Sequence, residues 1–302
     1  MDTAEPMDDF HIDKAQVRAA FERSAADYDK VAVLQHEIGR RLLDRLELIR
    51  LAPTTILDIG AGTGRLSAAL GRKYGQARVV SLDLSPRMLQ VARRRAGLLN
   101  RLRRRQVFVC ADAERLPCAA ASADLIVSNL ALQWCNDIDG TLAEFRRVLR
   151  PGGLLMFTTF GPDTLRELRA SWSGIDGRNH VNRFIDMHDL GDALLRVGLS
   201  EPVMDREDLT LTYPDVAGLM RDLKALGAHN STLGRPRGLT GRGRLARVTA
   251  AYERYRIDGR LPATYEVVYG HCWAKPTASS QQSHDDGTIT VPLSRLQRPR
   301  RP

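Results

Sequence analysis

Cysteine is scarce in this chain, with four in 302 residues. Cys110, Cys118, Cys135 and Cys272 form no C-x-x-C pair and show no metal-ligand spacing, which sets aside a disulfide scaffold and a zinc ribbon. Three of them lie in or beside apolar runs, the usual setting of a buried free thiol. Aromatics make up only 6% of the chain, and no aromatic-studded RNA motif or zinc-finger spacing accompanies its positive charge. No nucleic-acid partner is therefore expected. No apolar stretch approaches the roughly 20 residues of a membrane span. The opening "MDTAEPMDDF" is acidic and lacks the basic-then-apolar order of a signal peptide. Together these absences point to a soluble cytoplasmic protein with no membrane partner, and they are silent on oligomeric state.

What the chain has instead is arginine. Its net charge is +9, with "RRR" at 93–95, "RLRRR" at 101–105, and Arg235, Arg237, Arg242, Arg244 and Arg247. A basic face suits an acidic partner, although solvated helix faces produce the same composition. With 43% hydrophobic residues, the chain can build one large α/β domain around a sizeable core.

Residues 1–13 read as a disordered lead-in. From Lys14 to about Arg50 the pattern is helical, with Val31, Leu34, Ile38, Leu42, Leu46 and Ile49 recurring every three or four residues. Strands and helices then alternate. "TTILDI", "ARVVSLDL", "QVFVCA", "ADLIVSNL" and "LLMFTTF" read as strands, and "GRLSAALGRKYG", "SPRMLQVARRR" and "DIDGTLAEFRRVLR" as helices. Ser85 is a candidate N-cap, with Pro86 at the first helical position. Short β runs spaced by helices imply a parallel sheet covered on both faces, with ligands at the carboxyl ends of its strands. Further on, "PDTLRELRASW" and "MHDLGDALLRVG" read as helices and "DLTLTY" as a strand. Residues 214–260 form a helical insertion able to act as a lid, and "ATYEVVYGHCWA" is a late strand. The domain spans 14–275, with 14–50 as its N-terminal helical cap. The polar, non-periodic stretch 276–302 reads as a disordered tail.

The stretch "ILDIGAGTG" at 56–64 is a glycine loop after a strand. A phosphate-binding P-loop needs Lys-Ser/Thr after its last glycine, where Arg65-Leu66 stand here. A dinucleotide fingerprint is G-x-G-x-x-G, whereas Gly60, Gly62 and Gly64 are spaced G-x-G-x-G and residue 65 is Arg. Asp58, inside the motif, is awkward beside a pyrophosphate and suits a ligand with a cationic amino-acid end. Asp83, closing "VVSLD", is placed to accept both ribose hydroxyls. Asp112 in "CADAERLP" follows the third strand, where an acid can bind the adenine amino group. Any one of these acids would more often cap a loop. In combination they point to S-adenosyl-L-methionine.

"LDIGAGTG", "LDLS", "ADAERLP" and "LRPGGLL" resemble the class I S-adenosyl-L-methionine-dependent methyltransferases over about residues 50–160. That resemblance implies a Rossmann-like α/β fold, a seven-stranded sheet that is mostly parallel with an antiparallel last strand. It also implies a cofactor set of Asp58, Gly60, Ala61, Gly62, Gly64, Asp83, Leu84, Asp112, Ala113 and Asn129. Asp58 and the loop would lie against the methionine end, Asp83 at the ribose and Asp112 at the adenine.

A narrower likeness covers about residues 17–275. "AFERSAADYDKVAVLQHEIGRRLLDRL", "SNLALQWC", "FGPDTLRELRASW", "HVNRFIDMHDLGDAL", "GRPRGLTGRGRL" and "LPATYEVVYGHCWA" resemble the malonyl-acyl-carrier-protein O-methyltransferases of biotin synthesis. The resemblance implies methyl transfer to the free carboxylate of a malonyl thioester. The ester would disguise the malonyl group, so that fatty-acid enzymes elongate it towards the pimeloyl chain. A carboxylate acceptor is already ionised at neutral pH and needs no general base, so arginine or tyrosine donors are expected around it.

Tyr28 in "SAADYD" is a candidate donor or gate, and Arg183 in "HVNRF" a candidate bidentate clamp. Gln133 and Trp134, after the fourth strand, are candidate pocket walls. His36, His180 and His271 read as structural. The basic face would meet the acidic acyl carrier protein through arginines near 235–247 or 146–150. "FGPDTLREL" and "LPATYEVVY" also resemble a respiratory complex I assembly factor that hydroxylates its partner. Another small-carboxylate methyltransferase, or a non-catalytic module on the same scaffold, remains open at this point.

Overall fold

The computed structural model describes residues 10–97, 105–176, 180–227, 230–234, 241–275, 282–283 and 289–290. Its centre is a seven-stranded sheet in the order β3-β2-β1-β4-β5-β7-β6. The strands are β1 (Thr55–Ile59), β2 (Arg78–Asp83), β3 (Gln106–Cys110), β4 (Ala123–Asn129), β5 (Leu149–Phe160), β6 (Leu199–Tyr213) and β7 (Leu261–Ala274). β1 to β5 pair in parallel, and β7 lies antiparallel to both β5 and β6.

Period-2 alternation splits the sheet residues between two cores. Ile56, Val79, Leu125 and Leu154 pack on one face with Leu34, Ile38, Leu42 and Leu46, while Leu57, Ile126 and Leu155 pack on the other with Phe145. Burial on both faces explains why these strands read as continuous apolar runs.

The cap expected as one helical run over 14–50 is broken. It forms α1 (Lys14–Ser24), the single turn α2 (Tyr28–Val31) and α3 (Val33–Glu47). Asp13 caps α1 through the Gln16 amide, and Ala32 leaves helical geometry at φ −79, ψ 40. The break turns Tyr28 towards the strand ends.

The covering helices are α4 (Arg65–Lys73), α5 (Pro86–Arg95), α6 (Ile138–Val148), α7 (Arg166–Ser173), α8 (Met187–Arg196), α9 (Val216–Ala225) and α10 (Arg242–Glu253). Ser85 caps α5 through the Met88 amide with Pro86 at the first turn, as its sequence predicts.

The described part of the expected lead-in is held in place. Ile12 is 7% exposed and bridges Thr232, and its N–H donates to Asn136 at 2.7 Å. Within the expected tail, Gln282–Ser283 pairs with Ile289–Thr290, and the rest of both segments lies outside the described residues. No described helix is long and apolar enough to cross a membrane.

Candidate functional site

The carboxyl ends of the parallel strands converge on one cavity. Ile59, Asp83, Asn129 and Phe160 close β1, β2, β4 and β5 and line it, and Ala111 to Ala113 enter after β3. This is where an open α/β sheet presents its ligand site.

Beyond β1 the chain turns at Gly60, φ +74, where a Cβ would stand 2.4 Å from the Ala131 Cβ. An added Cβ at Gly62 meets nothing within 4 Å, so this residue leaves the cavity floor open. Gly64 packs tightly on Ala92 of α5, and the Gly60 and Ala61 amides both donate to the Leu82 carbonyl at 2.9 Å. Gly60 and Gly62 therefore face the cavity, while Ala61 and Gly64 shape the loop from behind.

Asp58 does not line the cavity. It is 1% exposed beneath the loop, where it accepts from the Ser67 hydroxyl at 2.5 Å, and that oxygen is 2.7 Å from Ser81 Oγ. Strand alternation is the reason, because residue 58 shares the α4 side of β1 with Ile56. The expected direct contact with a cationic ligand end is corrected to a buried support. Burial pushes the Asp58 pKa up to about 7, opposed by the Ser67 hydrogen bond and aided by the Asp83 charge.

Asp83 reaches the cavity. Its two oxygens accept from the Gly62 and Ser85 amides, each at 2.8 Å. Burial pushes it up to about 6 against those two hydrogen bonds. Leu84 follows it into the lining, as does Met88 from α5.

Asp112 lines the cavity beside Ala113 and is already engaged by Lys14, whose ammonium lies 2.6 Å and 2.7 Å from its oxygens. Glu114 is a second partner of Lys14 at 2.7 Å. Burial works against the Lys14 charge, but the two carboxylates outweigh it and raise its pKa.

Tyr28 also lines the cavity, edge-on to Phe21, which meets Trp134 at 5.5 Å and 90°. Burial, then the Asp83 and Asp29 charges, raise the phenol well above its ordinary pKa, so it is a protonated donor. Its neighbour Asp29 accepts from Thr63 of the glycine loop at 2.7 Å and pairs with Arg95. Burial opposes the Asp29 charge. The Thr63 hydrogen bond and the nearby Arg95 and Arg65 charges nevertheless hold its carboxyl below the ordinary value.

Leu130, at φ +54, bends the chain after β4 and brings Gln133 and Trp134 onto the cavity wall. The Gln133 amide donates to the Leu130 carbonyl at 2.8 Å. Asn129 is fixed between the Gln35 carbonyl, 3.1 Å away, and the Thr158 hydroxyl at 2.8 Å.

Arg183 is not in the cavity. It is exposed on a neighbouring groove with its guanidinium 5.7 Å from the Phe10 ring. In the irregular "HVNRF" segment Asn182 and Phe184 line the cavity, while Arg183 between them is exposed. The clamp expected at Arg183 is therefore not in the cavity.

Lys14, Asp29, Gln35 and Asn182 escaped the sequence reading. Asp29 sits within the quoted "SAADYD", but nothing local ties Lys14 or Gln35 to strand ends far along the chain. His180 stacks on Trp172 at 3.6 Å and bonds Asp176, away from the strand ends. Among the described residues no cluster of His, Cys, Asp or Glu could hold a metal.

Residues 57–157 match a family model described as a methyltransferase domain. Over 92% of its length the chain is 56% identical to the malonyl-[acyl-carrier protein] O-methyltransferase of Laribacter hongkongensis, covering 95% of that protein. It is equally 56% identical to the same-named protein of a Methylovorus species, over 90% of this chain and 92% of that one. Among solved structures, the YcgJ protein of Bacillus subtilis matches with a TM-score of 0.56 at 15% identity, covering 78% of this chain and 98% of that one. That last likeness is one of fold. Relatives this similar span nearly the whole chain, including the cap and the insertion, and the chain belongs to the malonyl-[acyl-carrier protein] O-methyltransferase family.

Proposed function

We propose that this chain transfers a methyl group from S-adenosyl-L-methionine to the free carboxylate of a malonyl thioester on acyl carrier protein, for biotin synthesis. One observation carries the reading. The glycine loop and the acids after β2 and β3 share a single cavity with a protonated tyrosine and an aromatic cover.

The residues present fit the cofactor. The floor over Gly62 is open, Asp83 and Asp112 are acceptors at adjacent strand ends, and Leu84 and Met88 supply an apolar wall. When bound, S-adenosyl-L-methionine supplies an electrophilic methyl on a sulfonium. Asp83 would accept from the ribose hydroxyls and Asp112 from the adenine amino group, with Lys14 holding the Asp112 carboxylate in place. Leu84 and Ala113 would pack on the adenine. Gly60, Gly62 and Asn129 would bound the methionine portion.

A carboxylate nucleophile needs positioning rather than deprotonation. The Tyr28 phenol donates to one carboxylate oxygen and leaves the other aligned. Gln133 and Trp134 wall the acceptor, and the Phe21, Tyr28 and Trp134 rings keep water out. Asp58 holds the loop from beneath through Ser67.

The test is growth without biotin of a strain lacking its own malonyl-carrier methyltransferase. This chain should restore growth and its Asp83→Ala variant should not. Failure of the folded wild-type protein to restore growth would count against the reading.

A further inference from the structure

Leu165, Asn182, Phe184 and Leu223 line both the cofactor cavity and a second groove bordered by α1, α7 and α9. The groove is apolar inside, with Leu168, Trp172 and Met220 among its walls. Its rim is basic. Arg23 lies in the last turn of α1, and Arg221 and Lys224 lie on α9, all three exposed and in no ion pair among the described residues. Asp27, the one acid of this lining among the described residues, is paired with Lys30 at 2.6 Å. At the junction with the cavity, Asn182 is only 8% exposed, and its Oδ1 has no hydrogen-bond partner among the described residues.

Two other basic stretches compare poorly. The groove holding Arg169 and Arg183 also carries Asp186 and Asp189, which cancel their charge. Arg169 is occupied by the Pro162 and Thr164 carbonyls, at 2.6 Å and 3.0 Å. Residues 146–150 sit at the far end of β5 from Phe160, where Arg147 pairs with Glu144 and Arg150 with Asp124. Arg235 and Arg237 lie outside the described residues.

We propose that the groove between α1, α7 and α9 admits the phosphopantetheine arm of acyl carrier protein, with Arg23, Arg221 and Lys224 as the docking surface for that acidic partner. The inference rests on the malonyl-carrier reading above. The arm carries a phosphodiester at its protein end, amides along its middle and the thioester at its tip. The groove offers complementary chemistry in that order: cations outside, then apolar walls with the unfilled acceptor of Asn182, then the methyl-transfer cavity. An amide N–H of the arm would fill that acceptor. Complementary rim charges act mainly on encounter with the carrier.

The experiment compares malonyl-acyl carrier protein with malonyl-N-acetylcysteamine, a thioester lacking both phosphate and carrier. Arg23→Glu, Arg221→Glu and Lys224→Glu together should raise KM for the carrier substrate about tenfold or more. Turnover of the small thioester should stay within about twofold. Lys224→Glu alone, on an exposed side chain, should raise the carrier KM about threefold and serves if the triple variant does not fold. Arg146→Glu at the far end of the sheet should leave it unchanged. An unchanged carrier KM in the triple variant, or an equal loss on both substrates, overturns the docking surface. So does a rise in KM produced by Arg183→Glu and not by the triple variant. If the wild-type protein methylates neither thioester, the methyl-transfer reading itself has failed.

Discussion

The ammonium of Lys14 lies 2.6 Å and 2.7 Å from the two carboxylate oxygens of Asp112, tying the first helix to the acid that follows β3. The same helix lays Val17 and Phe21 over the cavity. Both ion-pair partners are partly exposed, so the bond is modest and its value lies in placement. Lys14→Met should weaken S-adenosyl-L-methionine binding about two- to fivefold by calorimetry. A double-mutant cycle with Asp112→Asn should return a coupling of about 0.5–1 kcal/mol. Tighter binding by Lys14→Met would mean that the lysine competes with the adenine.

Tyr28→Phe removes a hydrogen-bond donor and keeps the ring that meets Phe21. Loss of one such donor at the reacting group should lower kcat about a hundredfold. Cofactor affinity and Tm should barely change. Because burial holds the phenol above its ordinary pKa, wild-type kcat should not fall up to about pH 9 through Tyr28 ionisation. An undiminished kcat in Tyr28→Phe would reduce Tyr28 to a packing residue.

Asp58 makes the stability of the cofactor-free protein depend on pH. Its folded pKa of about 7 stands above the ordinary 3.8, so the folded state retains a proton that the unfolded chain releases. The resulting stabilisation is full below about pH 4 and is lost as pH rises through 7. Asp83, pushed up to about 6, acts in the same direction. Wild-type Tm should therefore decline between pH 5 and 8. Asp58→Asn, whose amide oxygen still accepts from Ser67, should flatten that decline by several degrees. Identical slopes for both proteins would contradict the assignment.

Arg183, exposed and outside the cavity, should tolerate truncation. Arg183→Ala should change kcat/KM for malonyl-acyl carrier protein by less than about twofold. A loss of two orders of magnitude would restore the carboxylate clamp that the sequence suggested.

Local chemistry made much of this molecule readable. The apolar alternation of β1 to β5, the Ser85–Pro86 start of α5 and the glycine loop each act through neighbours in the chain. Two site residues stand elsewhere than expected because of which way their side chains face. Asp58 shares a face with Ile56, and Arg183 lies between two inward residues. Strand β6 runs Leu199–Tyr213, well beyond the expected "DLTLTY". Its first half was hidden because an edge strand carries charges on its open side, and Pro202 falls at its register shift. The Lys14–Asp112 pair spans 98 positions, and the basic rim joins α1 to α9, so neither leaves a local signature.

The most direct measurement is the intact mass of malonyl-acyl carrier protein after incubation with this protein and S-adenosyl-L-methionine. The carrier should gain the mass of one methylene, and alkaline treatment should remove it as expected for an ester. A carrier of unchanged mass, with cofactor binding intact by calorimetry, would contradict carboxylate methyl transfer.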